Sequence, residues 1–216
     1  MPGTAPIEHL ERVPDSLWRR LRAEPDRAPE LIALAGAERF GPQAESWVRI
    51  AGPGHTPEEL AGIAVKKHVR LSRVEGAALG LGGGLTVAAD LVALTWIQSR
   101  MVFYVAAAHG FDPRHPMRAA ELLALQGVYP TAAAAREGLD GTGKRLAHAL
   151  VEKGFDPRSD ATIVRRLVRY AARRTARHYG GRLVPLIGSP LSAALNAAAT
   201  RELGRKTLAY YGGAPG

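Results

Sequence analysis

The chain contains no cysteine. That excludes a disulfide framework, a thiolate metal site and a cysteine nucleophile, and it suits a reducing cytoplasm. Aromatic residues make up only 6% of the sequence, and alternating runs bounded by hairpin dipeptides are missing, so nothing points to a sheet. The first residues show no charged segment followed by an apolar run and a cleavage site, so secretion is not expected. The seven histidines form neither H-E-x-x-H nor a clean i, i+4 pair, His109 and His115 straddling a turn, and no serine lies in G-x-S-x-G. Zinc chemistry and nucleophile-elbow hydrolysis therefore have no visible carrier. Acid is missing over one long stretch: no Asp or Glu occurs from 161 to 201.

What is present is an ordinary globular composition, 216 residues with 46% hydrophobic and 23% charged. It is enough for one large domain, or for a domain with an appendage. The net charge is +9, unevenly spread. Residues 1–60 carry 7 basic and 10 acidic side chains, whereas residues 61–216 carry 22 basic and 10 acidic ones. A basic body calls for an anionic partner: lipid head groups, nucleic acid or a diphosphate-bearing ligand.

The punctuation is helical. Thr56-Pro57-Glu58-Glu59 combines a cap, a proline at the first helical position and a capping-box glutamate. Asp112-Pro113 and Ser189-Pro190 repeat the cap-then-proline signal. Gly41, Gly52, Gly110, Gly127, Gly154 and Gly180 stand where apolar periodic runs end. Helices are predicted near 16–24, 30–40, 43–51, 57–75, 85–109, 114–126, 131–137, 143–153, 160–179 and 190–211. The fold class that follows is all-α, a multi-helix bundle with a glycine-rich, close-packed central helix pair. Two similar pentapeptides, Gly110–Arg114 and Gly154–Arg158, read as helix stops with a phenylalanine contact and a fresh aspartate cap.

The centre of the chain is apolar. From Gly76 to Ser99 the one charge is Asp90, and five of the 24 residues are glycine. Length would permit a membrane span, but the glycines and a near-central charge argue against one. Gly76, Gly80 and Gly84 recur every four residues, forming a smooth packing stripe if helical and an elbow if Gly82–Gly84 breaks the helix. Asp90 in such surroundings needs a partner: Arg73 or Arg100, a helix N-terminus, or a bound cation.

Several motifs fall short. Gly138–Arg145 follows the phosphate-loop spacing, but its last position is arginine and a helix former precedes it, so it reads as a linker. Gly80–Leu85 misses the dinucleotide fingerprint at its final glycine. Asn196 and Thr200 match two of the three positions of the metal motif of class I terpene synthases, and Gly204 fills the third without an oxygen. Arg165, Arg166, Arg169, Arg173 and Arg177 lie along one side of the 160–179 helix, with Val164, Leu167, Val168 and Ala171 on the other. Basic amphipathic helices of this kind sit on anionic membrane surfaces or acidic partners. Nucleic acid is not expected, because neither a recognition motif nor a set of stacking aromatics accompanies the arginines.

The segments Glu75–Gly84, Ala89-Asp90-Leu91, Ala108–Pro113 and Val184–Ser189 followed by Asn196 resemble the EcsC family over about residues 60–212. The resemblance implies a helical bacterial protein, in a family named for a member encoded beside two subunits of an ABC transporter. It brings no catalytic residue. Where the family pattern has Asp-Leu-Pro or Asp-Ile-Pro, this chain has Asp90-Leu91-Val92, so its helix is expected to run on unbroken. The expected layout is a loose tail over 1–14, an acidic helical extension over 15–56 and an EcsC-like domain over 57–212.

Two functions follow as expectations. One is a non-catalytic cytoplasmic protein on the inner membrane face or on a membrane transporter, held by the basic helix through anionic lipid or a membrane protein. The other is an enzyme or carrier for an isoprenoid or lipid diphosphate, with Asp90 and Asn196 near a Mg²⁺ and Arg73 or Arg100 on the phosphates. A homo-oligomer built through the glycine stripe is a further expectation.

Overall fold

A computed structural model describes residues 11–78, 86–140 and 190–213. Among them there is no strand. The helices are α1 (Asp15–Ala23), α2 (Ala28–Ala51), α3 (Pro57–Ala78), α4 (Thr86–Ala108), α5 (Met117–Leu125), α6 (132–140) and α7 (Pro190–Gly212). A single 3₁₀ turn, Pro25–Arg27, joins α1 to α2. The all-α bundle is thus observed. Of the stripe glycines, Gly76 falls within α3, while Gly80 and Gly84 lie outside the described residues.

The predicted α3 start is built as its sequence requires. Glu59 N–H donates to Thr56 Oγ1 at 3.2 Å, and Thr56 N–H donates to Glu59 Oε2 at 2.9 Å. Two free amides at the helix end are satisfied reciprocally. The α4 stop is equally legible. Gly110 has φ +84°, Gly110 N–H donates to Ala107 O, and Phe111 N–H donates to Ala106 O. This is the Schellman pairing, and Gly127 with Val128 repeats it at the end of α5.

Four local expectations are corrected. Gly41 does not end a helix: α2 runs unbroken through Gly41 and Pro42. Proline inside a helix costs about 3 kcal/mol, yet Phe40, Ala44 and Trp47 are all buried across the junction, and that packing outweighs the loss. Gly41 is needed for closeness instead, since a Cβ there would stand 2.9 Å from Pro113 O. Gly52 is right-handed at φ −67°, and Gly54, at φ +86°, makes the turn. Asp112 caps a turn rather than a helix, accepting from Arg114 N–H at 2.8 Å, and α5 begins only at Met117. Residues 11–14, expected to belong to a loose tail, are fastened: Glu11 meets Arg39 and Gln43, and Val13 packs on the core.

Helix α4 is the hub. It packs against α2, α3 and α7, while α1 and α5 lie on α2. The window Leu91–Ala108 is apolar enough to cross a membrane by length and composition, with mean hydropathy 1.4, but 83% of it is buried in the protein. Its hydrophobicity is spent on the core. Phe40 stacks on Trp96 at 4.4 Å and Trp47 on Tyr104 at 5.1 Å, both tilted, geometries that aromatic pairs favour. On the other side, a Cβ on Gly204 would stand 2.6 Å from Val65 Cγ1, so α7 approaches α3 closely at that residue.

Candidate functional site

The candidates from the sequence do not converge on one described site. Arg73 lies on the exposed side of α3. Arg100 is only 4% exposed, and its guanidinium lies over the rings of Phe40 at 5.9 Å and Tyr104 at 5.3 Å. An exposed and an enclosed arginine do not form one phosphate clamp. Asn196 is half-buried on α7. Its helical companions are committed to packing: Thr200 is buried and accepts from Gln98 Nε2 at 3.4 Å, and Gly204 seats Val65 and Met101. Asp90 is in the α4 helix, but its side chain lies outside the described residues. So do Arg165, Arg166, Arg169, Arg173 and Arg177, the second pentapeptide, and the closing segment Val184–Ser189. Among the described residues no group of three His, Asp or Glu side chains could hold a metal ion.

The interior holds three polar clusters that the sequence reading did not single out. The first joins α2, α3 and α4. His68 is fully buried, with Nδ1 2.7 Å from Ala64 O; since a carbonyl only accepts, Nδ1 carries the proton. Tyr104 meets the imidazole edge-on at 5.5 Å. Burial pushes the His68 pKa down to about 3, helped by the positive Arg100 and Lys67, so the ring is neutral at physiological pH. Burial likewise raises the Tyr104 phenol.

The second cluster locks the end of α7. Tyr211 O–H donates to Glu121 Oε2 at 2.6 Å, and Arg118 Nη1 approaches the same oxygen at 2.6 Å. The Arg118 guanidinium lies over both Phe111 and Tyr211. Phe111, which follows the Schellman glycine, therefore serves as a wall of this cluster. Burial and the Glu121 carboxylate hold the Tyr211 phenol well above its usual range. The third cluster surrounds Glu30, which is wholly buried. Tyr129 O–H donates to Glu30 Oε1 at 2.8 Å, Arg27 Nη1 lies 4.0 Å away, and Arg27 Nη2 donates to Gly138 O. Gly138–Asp140, expected to open a linker, are the last turn of α6.

Chemically, these clusters are closed. His68, Glu30, Glu121 and Tyr211 are buried, with Arg27 and Tyr129 partly exposed at the edge of the third cluster, and the bonds among them orient helices against one another. A signal was available in the sequence: His68, Arg118 and Glu121 fall on the apolar faces of their helices, where a polar residue must find a partner.

A shallow cleft of about 220 Å³ opens between α1, α2 and α4, lined by Leu17, Arg20, Ala35, Glu38, Arg39 and Trp96 among others. Its charges are already matched, Arg20 with Glu38 at 3.8 Å and Arg39 with Glu11.

No curated protein and no solved structure matches the chain. A family model does, over residues 55–212: from just before the Thr56 capping box, through the α4 hub and its Gly110 stop, to the end of α7. This chain belongs to the EcsC protein family.

Proposed function

We propose that this EcsC-family protein is a non-catalytic cytoplasmic protein that docks on the inner membrane face, or on a transporter within it, through the arginine-rich segment 160–179. The observation that carries the reading is compositional: five arginines, Arg165, Arg166, Arg169, Arg173 and Arg177, recur at spacings that would place them on one side of a helix, inside a stretch, 161–201, that has no acid. Basic residues near an anionic bilayer are each worth about 1 kcal/mol of attraction. Among the described residues the apolar window Leu91–Ala108 of α4 is mostly buried inside the protein.

Co-sedimentation of the full chain with vesicles tests this. Binding is expected to vesicles containing phosphatidylglycerol and not to phosphatidylcholine alone, and to weaken as salt rises. Replacing Arg165, Arg169 and Arg173 by alanine should weaken the salt-sensitive part. Equal binding to both vesicle types would reject it. Release of diphosphate from a prenyl diphosphate in the presence of Mg²⁺ would replace it with chemistry on an isoprenoid.

A further inference from the structure

Between Leu60 and Val74 helix α3 carries Lys66, Lys67, Arg70 and Arg73, and no acid. Lys66, Arg70 and Arg73 follow at i, i+4 and i+7, so they share one face over two turns, about 10 Å along the axis. All three are exposed. The opposite face, with Leu60, Ala61, Ala64, His68 and Ser72, is buried. The helix is thus fixed in rotation, with its cations directed outward.

What sets these cations apart is clustering on one face, since Arg12, Arg19, Arg49 and Arg201 also meet no carboxylate among the described residues but are scattered over the chain before α1, α1, α2 and α7. Arg20, Arg27, Arg39, Arg114, Arg118, Arg136 and Arg205 each meet a carboxylate of the protein. Among the described residues, none of Lys66, Lys67, Arg70 and Arg73 does. The nearby Glu59 is engaged with the amide of Thr56. An apolar side chain lies beside the charges: Val74 is 50% exposed, and Gly62, one turn before Lys66, leaves open space above the helix.

We infer that this face of α3 is a docking surface for an anionic lipid bilayer, a second contact beyond the 160–179 segment. The inference extends the membrane reading and rests on it for the choice of partner. Charge complementarity calls for an array of phosphates. The exposed valine suits the boundary between head groups and acyl chains. A single-stranded nucleic acid would instead call for stacking aromatics, and 60–74 contains none.

The test uses the full chain, flotation with phosphatidylcholine vesicles with and without phosphatidylglycerol, and the variant Lys66→Ala/Arg70→Ala/Arg73→Ala. Loss of three basic contacts should weaken partitioning on the order of 100-fold, with helical circular dichroism and melting temperature unchanged. Arg70→Glu alone reads the same contact with one exposed change, and Arg70→Lys/Arg73→Lys should bind like the parent. Should the parent bind and both charge-removing variants bind equally well, the α3 surface is overturned while the arginine-segment reading survives. A parent that binds neither vesicle overturns both. Loss in the α3 variants with full retention in Arg165→Ala/Arg169→Ala/Arg173→Ala supports α3 and removes the other segment. A DNA duplex that displaces the vesicles and loses affinity in the same variants overturns the choice of lipid.

Discussion

Helices α1 and α2 and helix α3 use charge differently. In and between the first two, Arg20 faces Glu38, Arg27 faces Glu30 and Arg39 faces Glu11, while Arg19 and Arg49 meet no carboxylate of the described residues. In α3 Lys66, Arg70 and Arg73 face outward and, like the half-buried Lys67, meet no carboxylate among the described residues. The first arrangement ties the chain before α1 and the α6 end to the bundle. The second contributes little to folding and leaves its charge available to another surface. Charge that is answered within the protein is structural, and charge that is not is offered to a partner.

Substitutions can break this contrast. The largest effect is expected where a paired charge is enclosed. Glu121→Ala leaves Arg118 buried between two rings without its carboxylate, at a cost of about 3–5 kcal/mol, measured by urea unfolding. Glu30→Ala should fall in the same range or just below, because Arg27 is partly exposed. If either substitution were neutral, the closed clusters would not hold the fold together.

His68 gives the next effect, and it depends on pH. Its folded pKa of about 3 lies below the ordinary 6.5. Its neutral form is therefore favoured by the fold, and the stabilisation is complete above pH 6.5. It is lost as pH falls toward 3, by about 1.4 kcal/mol per unit. His68→Leu should remove that slope, seen as the difference between parent and variant unfolding curves across the window. Parallel curves would show that the ring titrates normally.

Smaller effects separate close packing from open surface. Gly204→Ala drives a methyl against Val65 and should destabilise by about 1–3 kcal/mol. Gly62→Ala, with nothing within 4 Å, should stabilise α3 by about 0.5–1 kcal/mol. The smallest change belongs to the α3 cations: Lys66→Ala/Arg70→Ala/Arg73→Ala should stay within about 0.5 kcal/mol of the parent, although it is expected to lose lipid binding. A large loss of stability there would mean that those charges are structural after all.

Much of the architecture was legible before any coordinates. The Thr56–Glu59 box, the Gly110 and Gly127 stops and the absence of strands among the described residues follow from local chemistry, because a cap or a left-handed glycine involves neighbours a few residues away. Gly41 misled for the same reason. Local rules end a helix there, and only the burial of Phe40, Ala44 and Trp47 on both sides of it shows why the helix continues. Arg73 and Arg100 were interchangeable as candidates, since helix periodicity cannot say that one looks outward and the other lies between Phe40 and Tyr104. Of the proposed site, Asn196 is half-buried beside packing residues, and the basic segment was visible in composition alone.

By itself the sequence determined the class of the fold, the family, some of the helix ends and the uneven distribution of charge, all of which depend on short-range rules or on counting. The tertiary structure decided which polar residues are enclosed with one another and which cations remain outside. Those outcomes depend on contacts between helices distant along the chain, Tyr211 with Glu121 or Trp47 with Tyr104, where burial multiplies the strength of every unpaired or paired charge.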